Sequence, residues 1–172
     1  MGALVMIVVR GAFDASMDSP SGITAVAGYL GTPLDWQAVE EKWNPLLLLH
    51  GLERLRMTEL FHSHGFSEAL KIAQDFAEIA GESRLRFICA HMLDTDFASL
   101  DKEDEFLKVY PQRQHACLDL LLTVLAQDLE LEYRNIPAAI IFDNYYGNME
   151  IAGRVYEKWK ARQGHPGFDD IG

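Results

Sequence analysis

Residues 4–31 read LVMIVVRGAFDASMDSPSGITAVAGYLG, and the way this stretch folds back on itself decides the architecture. Leu4–Phe13 is rich in β-formers and runs into Asp14-Ala15-Ser16, and Asp18-Ser19-Pro20-Ser21-Gly22 is a cluster of turn formers. Ile23–Leu30 is a second apolar run with small residues, bounded by Gly22 and Gly31. Two such runs around one turn predict an antiparallel hairpin that delivers Asp14 at the end of its first strand.

Downstream, Thr32-Pro33-Leu34-Asp35 has the signature of a helix start, with a threonine cap, proline at the first helical position and an acid three residues after the cap. Trp36, Val39, Trp43 and Leu46 recur at helical spacing; Pro45 is expected to kink or end the regular part, and Gly51 to stop the rest. The tryptophan pair reads as core packing. Leu55–Leu60 suggests a short third strand leading into a His62-Ser63-His64-Gly65 turn. Ser67 is placed to cap a helix with Leu70, Ala73, Phe76, Ala77 and Ala80 inward, ending after Gly81. Leu85–Leu93 has apolar side chains at both alternating sets of positions, which predicts a strand covered on both faces.

The acids between Asp94 and Glu105 lack EF-hand spacing and its central glycine, and read as a solvated loop. Pro111 then opens a long apolar helix through Leu118, Leu121, Leu122, Leu125 and Leu129, which is expected to be buried. Ile136–Phe142 is a compact strand ending in Asp143-Asn144, and a last helix from about Asn148 to Arg162 turns Met149, Ala152, Val155 and Trp159 inward. The order β β α β α β α β α predicts an α/β fold with a mixed five-stranded sheet, three antiparallel strands and then two crossover strands, flanked by helices.

A chain of 172 residues fits one domain, and 49% hydrophobic with 24% charged residues suits an ordinary core. The net charge of −11 argues against broad electrostatic attraction to DNA, RNA or an anionic membrane and favours solubility, without excluding nucleic acid. Phosphate can still be held through divalent cations recruited to carboxylates. The two cysteines, Cys89 and Cys117, lack zinc or redox spacing and read as buried reduced thiols. The apolar run near the start is too short to span a membrane and has no signal-peptide flanks, so a cytoplasmic location is expected.

Chemistry is sought in the acids that follow predicted strands: Asp14, Glu59 and Asp143. If their strands run the same way, these carboxylates converge at the carboxyl edge of the sheet. Oxygen-only donors suit Mg²⁺ or Mn²⁺, and two such ions activate water and stabilise the leaving oxygen in phosphodiester hydrolysis. The competing explanation is that acids after strands bond nearby backbone N–H groups in turns. His62 and His64 could bind a metal or phosphate, or be exposed residues of a turn. No dinucleotide-binding, Walker A, nucleophile-elbow or HExxH motif is present.

Phe13-Asp14-Ala15-Ser16, Ala25-Val26-Ala27-Gly28-Tyr29, Trp36 with Trp43, Arg56-Met57-Thr58-Glu59-Leu60 and Ile140-Ile141-Phe142-Asp143 resemble, in order, the landmarks of the DUF3800 family. The resemblance runs from about Val5 to Asp143. It implies a ribonuclease-H-like domain over residues 1–172 with metal-dependent nuclease or integrase-type activity, often in mobile-element contexts. By resemblance, Asp14 is the leading acid, Glu59 the acid after the third strand and Asp143 the acid after the fifth. Together they would hold Mg or Mn and act on nucleic acid.

Three departures stand out. Ala15 replaces the usual Glu, Arg56 stands where a His often precedes the Met, and the chain reaches Gly172 ahead of the family's C-terminal acid-bearing segment. The expectations are therefore a nuclease or, alternatively, a catalytically silent module that binds a protein partner or forms a homodimer. In the homodimer, apolar residues near Trp159 and Phe168 would take part.

Overall fold

The computed structural model describes residues 9–18, 21–99, 110, 112–133, 136–142, 153–157, 161 and 170–171. In chain order its elements are β1 (Val9–Asp18), β2 (Ile23–Gly31), α1 (Pro33–Leu49), α2 (Met57–His64), α3 (Phe66–Glu82), β3 (Arg86–Leu93), α4 (Asp94–Ala98), α5 (Arg113–Tyr133), β4 (Ala138–Phe142) and β5 (Asp170–Ile171). The chain divides into two compact units, a sheet unit of Met1–Leu30 with Arg86–Gly172 and a helical unit of Gly31–Leu85.

In the sheet unit the strands lie in the order β3-β2-β1-β4-β5. β1 and β2 are neighbours joined by the four residues between Asp18 and Ile23, a connection too short for anything but an antiparallel hairpin. β3 continues antiparallel on β2, from Ile23↔Leu93 to Leu30↔Arg86. On the other side of β1, β4 is parallel to it, from Val9↔Ala138 to Phe13↔Phe142, and the two-residue β5 is parallel to β4.

The mixed α/β class expected from the sequence is found, with one correction of substance. The stretch expected to be the third strand, Leu55–Leu60, contributes to helix α2, so four strands of five or more residues and a two-residue edge strand make the sheet. The third strand of the sheet is instead Arg86–Leu93, reached after three helices.

One face of the sheet is buried under α5. Val9, Phe13, Val26, Leu30, Ile88 and Ile140 from the strands meet Cys117, Leu118, Leu121, Leu122, Leu125 and Leu129 from the helix in one cluster. Each leucine that is fully buried there contributes roughly 1.5–3 kcal/mol. Arg86 ties β3 to α5 through Asp128 Oδ1 at 2.6 Å and Glu132 Oε1 at 3.3 Å. Burial works against the Arg86 charge, but the hydrogen bond and field of Asp128, helped by Glu132, outweigh it and raise the guanidinium pKa.

The long helix is buried along its inner stripe as expected, while Leu120, Val124 and Leu131 remain exposed. The acidic stretch begins as a short helix, α4, rather than as a loop; the residues from 100 to 109 lie outside the described residues. Residues 153–157 are helical, with Val155 and Tyr156 buried. Trp159 and Phe168, expected at a homodimer contact, lie outside the described residues.

The helical unit starts as its sequence predicts. Thr32 Oγ1 accepts the Asp35 N–H at 3.3 Å while Asp35 Oδ2 accepts the Thr32 N–H at 2.9 Å, a complete capping box with Pro33 at the first position. Pro45 does not end the helix, which continues to Leu49. It ends at Gly51, φ +65°, where the Leu52 N–H reaches the Leu47 carbonyl at 2.8 Å and the Gly51 N–H the Leu48 carbonyl at 3.2 Å. This crossed pair of bonds requires a left-handed residue at Gly51.

In α3 the inward stripe is Ala69, Ile72 and Phe76. Leu70 and Ala77, expected inward, are exposed, and Ser67 does not cap the helix, whose N-cap is Gly65. Leu60 of α2 joins Ala69, Ile72 and Phe76 in a small cluster, with Trp43 packed on Phe76 at 4.6 Å between ring centroids. That contact agrees with core packing for Trp43. Among the described residues no helix is long and apolar enough to cross a membrane.

Candidate functional site

Period-two alternation sorts β1 cleanly. Val9, Gly11 and Phe13 are buried, and Arg10, Ala12, Asp14 and Ser16 are exposed on the opposite face. Asp14 is thus on the sheet surface not covered by α5. The strand does not end before it, as the sequence suggested, but continues to Asp18, because β2 keeps pairing alongside.

The Asp14 Oδ1 accepts the N–H of Ala15 at 2.7 Å, a bond that fixes the carboxylate on its own backbone while leaving it exposed. Gly28 of β2 presses on β1 immediately before it: a Cβ there would fall on the Ala12 carbonyl oxygen and lie 2.7 Å from Phe13 Cα. Only glycine allows this approach. β4 comes level with Phe13 at Phe142, and Asp143, the next residue in the sequence, lies outside the described residues.

Glu59 belongs to the helical unit. It does not follow a strand; it stands in the first turn of α2, where a carboxylate suits the helix dipole. Its Oε1 accepts from Arg54 Nη2 at 3.1 Å and pairs with Arg56 Nη1 at 3.9 Å. His62 and His64 are in the last turn of the same helix rather than in a turn before one. Ser63 Oγ donates to the Glu59 carbonyl at 2.8 Å and lies 2.7 Å from His64 Nδ1. With its proton on that carbonyl, the hydroxyl is a helix back-bond rather than a nucleophile poised on histidine.

Of the three acids singled out in the sequence, Asp14 is in the sheet unit, Glu59 is in the helical unit and Asp143 is outside the described residues. No two of them come together among the described residues of one unit. Among the described residues no three His, Cys, Asp or Glu side chains gather closely enough to hold a metal ion. Of the three acids, Asp14 is the one the described residues place on the exposed face of the sheet. That suits Mg²⁺, which often takes one or two carboxylates and completes its shell with water and substrate phosphate.

The face around Asp14 is the feature that sequence reasoning missed. β3 was expected to be covered on both sides, but only Ile88 and Ala90 are buried; Phe87, Cys89, His91 and Leu93 are exposed. Phe87 is 61% exposed and pairs with Tyr29 across the strands, ring centroids 5.3 Å apart and planes at 56°. The hint was present in the alternation, since polar His91 falls in the same set as Phe87 and Cys89. Cys89 is consequently exposed, correcting the expectation of two buried thiols, whereas Cys117 is buried and its Sγ donates to the Thr24 carbonyl at 3.4 Å. Burial pushes the Cys117 thiol up to about 11.

Comparisons with protein-family models, curated proteins and solved structures give no match.

Proposed function

We propose that the chain is a ribonuclease-H-like, Mg²⁺- or Mn²⁺-dependent phosphodiesterase that acts on nucleic acid, with Asp14 as its leading carboxylate and Asp143 as a further acid. One observation carries the proposal. Three antiparallel strands are extended on the β1 side by parallel strands, so that Asp14 stands exposed on a central strand whose parallel neighbour, β4, pairs Phe142 with Phe13. The resemblance of the Asp14, Glu59 and Asp143 segments to DUF3800 landmarks points the same way.

The metal would supply activation of water and stabilisation of the leaving oxygen. Asp14 contributes a fixed carboxylate, oriented by the Ala15 N–H, and the open face beside it admits a phosphodiester. Mn²⁺ at about 100 times its Kd should stabilise the folded protein by about 2.7 kcal/mol. Asp14→Asn should abolish that stabilisation together with Mn²⁺-dependent cleavage of a labelled oligonucleotide, with the metal-free protein melting as before. An equal Mn²⁺ shift in both proteins would remove Asp14 from the site.

A second function, a catalytically silent module for a protein partner or a homodimer, is favoured by the engagement of Glu59 with Arg54 and Arg56. It requires that Mn²⁺ neither stabilise the wild-type protein nor support cleavage.

A further inference from the structure

The outward face of the sheet differs in composition from the rest of the chain. Among the described side chains of β1–β4 it carries Arg10 and Asp14 as its charged groups, with His91, Cys89 and Tyr29 as further titratable ones, in a molecule with 26 acidic residues. Its middle is floored by small residues, Ala12, Ala25, Ala27 and Ala139, with Ile141 exposed beside Ala12. At one side stand Tyr29 and the exposed Phe87. A sheet surface with little acid among its described side chains and with one aromatic ring, Phe87, well exposed offers a face on which a planar group can stack.

We infer that this face binds single-stranded nucleic acid by stacking an unpaired base on the exposed ring of Phe87, which Tyr29 supports from the side at 56°, with the backbone crossing toward Asp14; this rests on the phosphodiesterase function proposed above. Adjacent strands lie roughly 4.8 Å apart, so β3 is roughly 10 Å across the sheet from β1. One strand of nucleic acid can therefore lay a base on Phe87 and a phosphate beside Asp14. A duplex cannot use the platform, because its base faces are already stacked. The net charge of −11 is consistent with this mode. Binding carried by stacking with few phosphate contacts falls little with salt, unlike that of single-strand binders with a basic groove, whose salt dependence is strong.

The test uses the full chain and fluorescein-labelled mixed-sequence DNA and RNA of about 12 nucleotides, single-stranded and duplex, by anisotropy in EDTA so that nothing is cleaved. The single strands should bind at least about tenfold tighter than the duplexes, and Phe87→Ala should weaken them about 5- to 100-fold, with Phe87→Tyr restoring most of the affinity. Between about 50 and 200 mM salt the single-strand affinity should drop less than about tenfold. Equal binding of duplex and single strand overturns the inference, as does unchanged binding by Phe87→Ala. So does a Phe87→Ala variant that loses only self-association in sedimentation, which would make the face a protein interface.

Cleavage with Mn²⁺ is scored separately. Single-strand binding through Phe87 without any cleavage leaves the platform standing and removes the phosphodiesterase. Cleavage that is indifferent to Phe87→Ala does the reverse.

Discussion

Among the described residues, 18 buried apolar side chains form one cluster in the sheet unit, whereas four, Leu60, Ala69, Ile72 and Phe76, form that of the helical unit. A sheet with a long apolar helix laid on it buries contiguous surface from β1, β2, β3 and β4. Three helices with interrupted apolar stripes leave Leu34, Leu48, Leu49 and Phe66 mostly exposed. Stability in the sheet unit thus comes from non-local burial. Much of what defines the helical unit is local: a capping box, a glycine stop and a pair of stacked rings, Phe61 on Phe66 at 5.5 Å.

Truncation at the centre of each cluster tests this contrast most severely. Leu125→Ala should cost about 2–5 kcal/mol and Phe76→Ala about 3–5 kcal/mol locally. Hydrogen exchange should then show protection lost in β1–β3 and α5 for the first variant, and in α1–α3 for the second. Identical patterns for the two would abolish the distinction between the units.

Smaller changes sharpen it. Gly28→Ala forces a Cβ into the β1 backbone and should destabilise by about 1–3 kcal/mol, while Thr32→Ala removes the cap of α1 and should cost about 1 kcal/mol. Urea titrations read both. A Gly28→Ala protein as stable as the wild type would mean that β1 and β2 are not in such close contact before Asp14.

The smallest effect is chemical and compares two thiols of the sheet unit on opposite faces. At pH 8 iodoacetamide should modify Cys89 and spare Cys117, since the thiolate is the nucleophile and burial holds the Cys117 thiol protonated to about 11. The folded protein keeps this proton after the unfolded chain has released its own, so Cys117 makes stability fall as pH rises from the ordinary thiol range toward 11. Two adducts on native protein at pH 8, counted by mass spectrometry, would place both thiols in solvent.

By itself the sequence determined what is encoded within a few residues. Turn formers between two apolar runs make the hairpin of β1 and β2, Thr32-Pro33-Leu34-Asp35 starts α1, and Gly51 stops it, because each depends on a backbone angle or a cap bond made locally. The leucine stripe of α5 was legible because one helical period spans the whole element.

Tertiary structure decided the rest. Leu55–Leu60 is too short for its period to separate strand from helix; burial of Leu60 against residues far along the chain accompanies the helix. β1 runs past Asp14 because β2 continues to pair with it, although Ala15-Ser16-Met17-Asp18 has weak β-propensity of its own. Whether the second face of β3 is covered cannot be read from alternating apolar residues, since an apolar side chain looks the same in sequence whether another element covers it or solvent does. Only the packing shows that Phe87 is open, on the same face of the sheet as Asp14.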